Sequence, residues 1–141
     1  MRDELTRRCQ TIEECYEFML AYAAQGLAGD AGSQTGGQLR DALRLAASAL
    51  SGLAEVAAAL VNREQLEPAD RYNAFIAVLD RDARDALAAL ELVRAQASIS
   101  SQLIDNLNAS IHLRALLTDL FLVDEILKGQ RSATGPADAR G

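Results

Sequence analysis

Tryptophan is absent from the 141-residue chain, aromatic residues make up only 4% of it, and proline occurs twice. Without large rings, the hydrophobic half of the sequence must pack as aliphatic side chains and alanines, which suits close helix–helix contact. β-Branched residues are sparse, so material for strands is lacking and a sheet is excluded. Lysine occurs once, at Lys128, and acidic residues outnumber basic ones to a net charge of −6. Such a balance excludes nucleic acid and anionic membrane surfaces as partners, because both require a basic face. No run approaches 18 uncharged apolar residues, so no membrane-spanning helix is expected.

Cysteine is nearly missing too. Cys9 and Cys15 lie six positions apart, which fits neither a CxxC redox motif nor a four-ligand zinc site. Free thiols in a reducing compartment are the expectation. The start, MRDELTRRCQ, carries charges of both signs and no apolar core of a signal peptide, so a cytoplasmic location is expected. Histidine occurs once, at His112, and no Glu-x-x-His pair exists. That excludes a ferritin-like di-iron centre within one subunit. The Gly-rich stretch 26–37, GLAGDAGSQTGG, lacks the Lys-Ser or Lys-Thr of a phosphate loop and reads as a flexible linker. No catalytic motif and no cofactor signature remains.

What is present is helical periodicity. Thr11-Ile12-Glu13-Glu14 has the form of a capping box and opens a helix that closes at Gly26. A second helix is expected over Gln38 to Val61, with Leu39, Leu43, Ala46, Leu50, Leu53 and Leu60 on one face. Pro68 suits the first position of a third, running to about Ala97. Within it, Asp80 with Arg84 and Arg81 with Asp85 form i,i+4 pairs on a solvated face. Ser98 or Ser100 caps a fourth that ends near Lys128. The expected fold is all-α: an antiparallel up-down-up-down four-helix bundle over residues 1–129 with a shorter first helix, followed by a disordered tail over 130–141.

The fourth helix carries the functional reading. Its first half keeps Ile99, Leu103, Ile104, Leu107 and Ile111 on one face. Its second half spreads Leu113, Leu116, Leu117, Leu120, Phe121, Val123 and Leu127 around most of the circumference. A helix apolar nearly all round needs cover nearly all round, so these residues are the expected surface of a homodimer or larger assembly. Ser101, Asp105, Asn108, His112 and Asp119 form a polar stripe on the other side, and His with carboxylates is a reasonable metal-ligand set. However, Asp105, His112 and Asp119 repeat every seven residues, about 10 Å apart along an axis, too far to share one ion unaided.

Two stretches, TIEECYEFMLAYAAQG at 11–26 and SISSQLIDNLNASIHLRALLTDLFLVDEILK at 98–128, resemble a small bacterial family of uncharacterised all-helical proteins. The resemblance implies a helical bundle and carries over no activity and no site residue. The expectation is a non-catalytic cytoplasmic protein, with no cofactor, that associates with itself or another protein through its fourth helix. The rival is a small-ligand or metal-binding protein using the polar stripe.

Overall fold

The computed structural model describes the backbone of residues 2–140 and side chains from Arg2 through Gln130. It is all-helical. Among the described residues there are six helices and no strand: α1 Arg2–Ala24, α2 Gln34–Leu50, α3 Leu53–Glu64, α4 Ala69–Arg94, α5 Ser101–Ala109 and α6 Ile111–Arg140. The expected tail at 130–141 lies, from residue 131 onward, outside the residues whose side chains are described.

Four expected helices become six through two breaks. The stretch expected as one helix over 38–61 stops at Ser51-Gly52. Gly52 takes φ 78°, a left-handed value that glycine adopts without steric cost. There α2 and α3 meet at a bend of 42°. The carbonyls freed at the end of α2 do not go unpaired: Arg8 Nη1 donates to Ala49 O at 3.1 Å and Ser51 O at 2.6 Å. The second break is at Ser110, whose extended ψ of 142° ends α5. The same serine then caps α6 by accepting from Leu113 N at 3.3 Å. Asn106, Asn108 and Ser110 favour helix ends over interiors because their side chains compete for backbone partners. Their density in this stretch marks a terminus.

The first helix is not the short one. It begins at Arg2 and runs 23 residues. Leu5, Ile12, Cys15, Met19 and Tyr22 are buried along its length, with Cys9 partly buried beside them. The apolar line therefore continues upstream of Thr11. Thr11 sits inside the helix, its Oγ1 donating to Arg7 O at 3.0 Å, so the expected capping box does not form. Glu4 bonds both Arg7 and Arg8 and fastens the first turns. Pro68 sits one position ahead of α4, as its N-cap. At α5 the cap is Ser100, accepting from Leu103 N at 3.0 Å.

The core is aliphatic, as the scarcity of rings requires, with Tyr22 its one fully enclosed aromatic. The Tyr22 phenol donates to Ile99 O at 2.7 Å, so the buried hydroxyl is satisfied. Along α6, Asp119 lies beside Asp82 of α4, and Gln130 Nε2 donates to Tyr72 OH at 2.8 Å. The numbers rise on one helix as they fall on the other, so α6 runs opposite to α4. No single helix among the described residues is long and apolar enough to cross a membrane.

The Gly-rich segment is an ordered joint. Asp30, only 8% exposed, accepts from Arg40 Nε at 2.6 Å and from Ile99 N at 2.7 Å. Arg40 also donates to the carbonyls of Arg94 at 3.0 Å and Gln96 at 2.8 Å. One ion pair thus ties the α1–α2 loop, α2 and the α4–α5 loop together. Ser33 caps α2 by accepting from Gly36 N at 2.9 Å. Gly36 lies so close to the Asp30 carbonyl that any Cβ there would collide with it. Glycine at that position serves close approach.

Candidate functional site

The break at Ser110 decides the fate of the polar stripe. A continuous helix would stack Ser101, Asp105, Asn108, His112 and Asp119 along one line. With α5 and α6 as separate helices, that line is cut between Asn108 and His112. Ser101 is buried, donating to Tyr22 O at 2.6 Å and accepting from Leu27 N at 2.8 Å, which locks α5 to the end of α1. Asp105 and His112 are exposed. Asn108 is buried at 7% exposure, with neither polar atom of its amide paired among the described residues. Asp119 is buried on α6 against Asp82. The five residues therefore do not share a site. Among the described residues no three His, Cys, Asp or Glu side chains converge where they could hold a metal ion.

Asp119 is the chemically unusual member. Its carboxyl is pushed up to about 7, first by burial and then by the carboxyl of Asp82, which shares a hydrogen bond with it. One of its oxygens has no hydrogen-bond partner among the described residues. A carboxyl buried beside a second carboxyl favours its protonated form. Asp82 was legible only in part. It belongs to the charged run 80–85, yet lies three positions after Leu79 and four before Ala86, both buried. That spacing places it at the border of the apolar stripe and not among the solvated charges. The two cysteines are silent: burial pushes both thiols up to about 12, so they stay protonated near neutrality.

The apolar residues expected at an interface divide sharply. Leu113, Leu116, Leu117 and Leu120 are at most 5% exposed, within the core of this single chain. Val123 and Leu127 are half-buried against that core. Phe121 is 58% exposed. Much of the cover that α6 demands therefore comes from its own chain, and the outer side is what remains. On that side Ile111, Ala115, Thr118, Leu122 and Ile126 follow one another at three- and four-residue steps. Of seven large apolar side chains exposed among the described residues, Ile111, Phe121, Leu122 and Ile126 all belong to α6. The other three, Leu20, Leu45 and Leu92, stand singly on three different helices, as is ordinary for a protein surface.

Charges flank this outer face. Arg114 and Glu125 are exposed on its edge, and neither side chain has an ion-pair partner among the described residues. They lie eleven positions apart on one helix, too far to pair with each other.

Comparison with protein-family models, with curated proteins and with solved structures gives no significant match to this chain. The functional reading rests on the chain's own geometry.

Proposed function

We propose that this protein is a non-catalytic helical-bundle module that pairs with a second copy of itself through the outer face of α6. The observation that carries the reading is the gathering of exposed large apolar side chains on that one helix, with an unpaired cation and an unpaired anion at its edge. If two copies cross with their α6 helices antiparallel about a two-fold axis near Asp119–Leu120, Arg114 of each copy meets the other copy's Glu125. Thr118 then faces the other copy's Phe121. An isologous pairing of this kind satisfies both charges with a single self-complementary patch.

The fold proposed beneath this function is a four-helix bundle in which α2–α3 and α5–α6 are each one rod broken once. Arg2, at the start of α1, reaches Glu64 at the end of α3 and the Leu127 carbonyl of α6. Tyr22, near the end of α1, reaches Ile99 just ahead of α5. These contacts support α1 lying antiparallel to the α5–α6 rod. A partly buried Cys9 and a buried Cys15, both unbridged, suit a reducing compartment such as the cytoplasm.

The test is sedimentation velocity of the full chain at micromolar concentrations. A dimer is expected for the native protein and a monomer for Leu122→Ser with Phe121→Ser. Arg114→Glu is expected to weaken pairing, and adding Glu125→Arg to restore it. A native chain that stays monomeric at about 100 µM overturns the reading. So does a charge reversal that the second substitution does not rescue.

A further inference from the structure

We infer that a second site lies between α1, α3, α4 and α6: a cleft that binds an aliphatic chain carrying an anionic head group. The cleft has a volume of about 260 Å³. Its floor is Leu5, Leu60 and Leu79, none more than 4% exposed, and its walls include Phe75, Ile76 and Val123. Among its lining side chains only Arg71 and Tyr72 are polar. An engineered cavity of about 150 Å³ takes up benzene, so by proportion this one holds roughly ten carbons. Ligand pockets commonly join a largely apolar lining to a few placed polar groups, and the cleft has that composition.

Arg71 identifies the head group. Its guanidinium is exposed at the cleft and has no hydrogen-bond or ion-pair partner among the described residues. Every other arginine along α4 except Arg81 is paired: Arg84 with Asp80, and Arg94 with Glu91. Beside Arg71, the Tyr72 phenol accepts from Gln130 Nε2 at 2.8 Å and keeps its own proton to donate. A guanidinium and a phenol next to an apolar cleft match a carboxylate at the end of a hydrocarbon chain. The nearby start of α4 is not the anion site, because the Glu67 carboxylate already accepts from Ala69 N at 3.2 Å. The chain's own C-terminal stretch, QRSATGPADARG, is no substitute occupant, since it offers no side chain more apolar than alanine and proline.

This site shares Ile126 with the proposed pairing face, but Phe121 and Leu122 do not line the cleft, so the Leu122→Ser with Phe121→Ser variant tests pairing while leaving the cleft lining unchanged. The experiment is calorimetric titration of the full chain with decanoate and with decanol, repeated on Arg71→Ala and on Ile76→Trp. We expect one decanoate per chain, with decanol bound more weakly. Arg71→Ala should weaken decanoate about tenfold, to the level of decanol, the size of one charge-assisted contact. Ile76→Trp, which fills the cleft, should abolish both. Val61→Phe fills the same space if circular dichroism shows that the tryptophan disturbs the fold. Decanoate that never saturates, or that binds both cleft-filling variants like the native chain, overturns the site. Decanoate held no better than decanol, or unchanged by Arg71→Ala, overturns the head-group assignment.

Discussion

Two aspartates in this protein are buried to nearly the same degree, Asp30 at 8% exposure and Asp119 at 7%, and their surroundings drive them in opposite directions. Asp30 is held below the ordinary value of 3.8, chiefly by its hydrogen bond from Arg40 and further by the amide of Ile99. Asp119 has a second carboxyl where Asp30 has a guanidinium, and one oxygen with no hydrogen-bond partner among the described residues. Burial alone therefore does not decide what a carboxyl does. At Asp30 the partner outweighs burial, and at Asp119 burial leads and the second carboxyl adds to it. The Asp30 end of the molecule is saturated with hydrogen bonds and is a structural joint. The α6 side carries the unmet groups: a raised carboxyl at Asp119, an outward row of apolar side chains and two surface charges without an ion-pair partner among the described residues. Demands left unsatisfied by the chain itself are where a binding function belongs.

The sharpest way to break the contrast is to remove the cation from the saturated end. Arg40→Met leaves the Asp30 carboxylate buried beside backbone amide donors alone, and a stranded buried charge costs about 3 kcal/mol or more. A folded pKa below the unfolded one means the ion pair stabilises above the unfolded value near 3.8 and loses that effect as pH falls through the folded pKa. The native and Arg40→Met proteins should differ most in urea unfolding at pH 7 and less at an acid pH below 3.8. An equal gap at both pH values would show that Arg40 acts by packing alone.

Asp119→Asn should act in the other direction. A folded pKa raised to about 7 means the native state holds a proton that the unfolded chain has already released. Stability therefore declines as pH rises from the unfolded value near 3.8 to about 7, and stays low above it. The amide removes one ionisable group, and relieving a buried unsatisfied carboxylate is worth on the order of 1–3 kcal/mol. The variant should unfold at higher urea than the native protein at pH 8 and match it below pH 4. A variant less stable at pH 8 would mean that Asp119 is paired when charged.

The smallest effect is expected at Asn108. Replacing an unpaired buried amide with an apolar group of similar shape is close to neutral or stabilising. Asn108→Leu should fall within about 1 kcal/mol of the native protein or exceed it. A loss of several kcal/mol would show that the amide is bonded in solution.

Much of the fold is legible in local sequence. The apolar stripes of α2, α3 and α4 and a serine cap at Ser98 or Ser100 follow from local periodicity and capping chemistry, while Pro68 stands one position earlier than expected. The helix breaks were less so. Gly52 and the Asn106–Ser110 cluster were visible, but a glycine within a helical pattern permits a break without requiring one. What made the first break stable was Arg8, forty residues away, collecting the carbonyls of Ala49 and Ser51. The candidate interface was half legible. Periodicity identified a helix apolar on most sides and could not say which leucines its own chain would cover.

The sequence by itself determined that the protein is helical, that its core is aliphatic and that its last helix demands more cover than an ordinary surface helix. Those properties reside in residue type and spacing, and spacing is local. Only the tertiary structure decided that the Gly-rich segment is a joint, that Asp119 lies against Asp82, and that Leu113 to Leu120 turn inward while Phe121, Leu122 and Ile126 turn out. Each of those outcomes depends on groups far apart in the chain meeting across a packed interior, where a neighbour's charge or bulk sets the result.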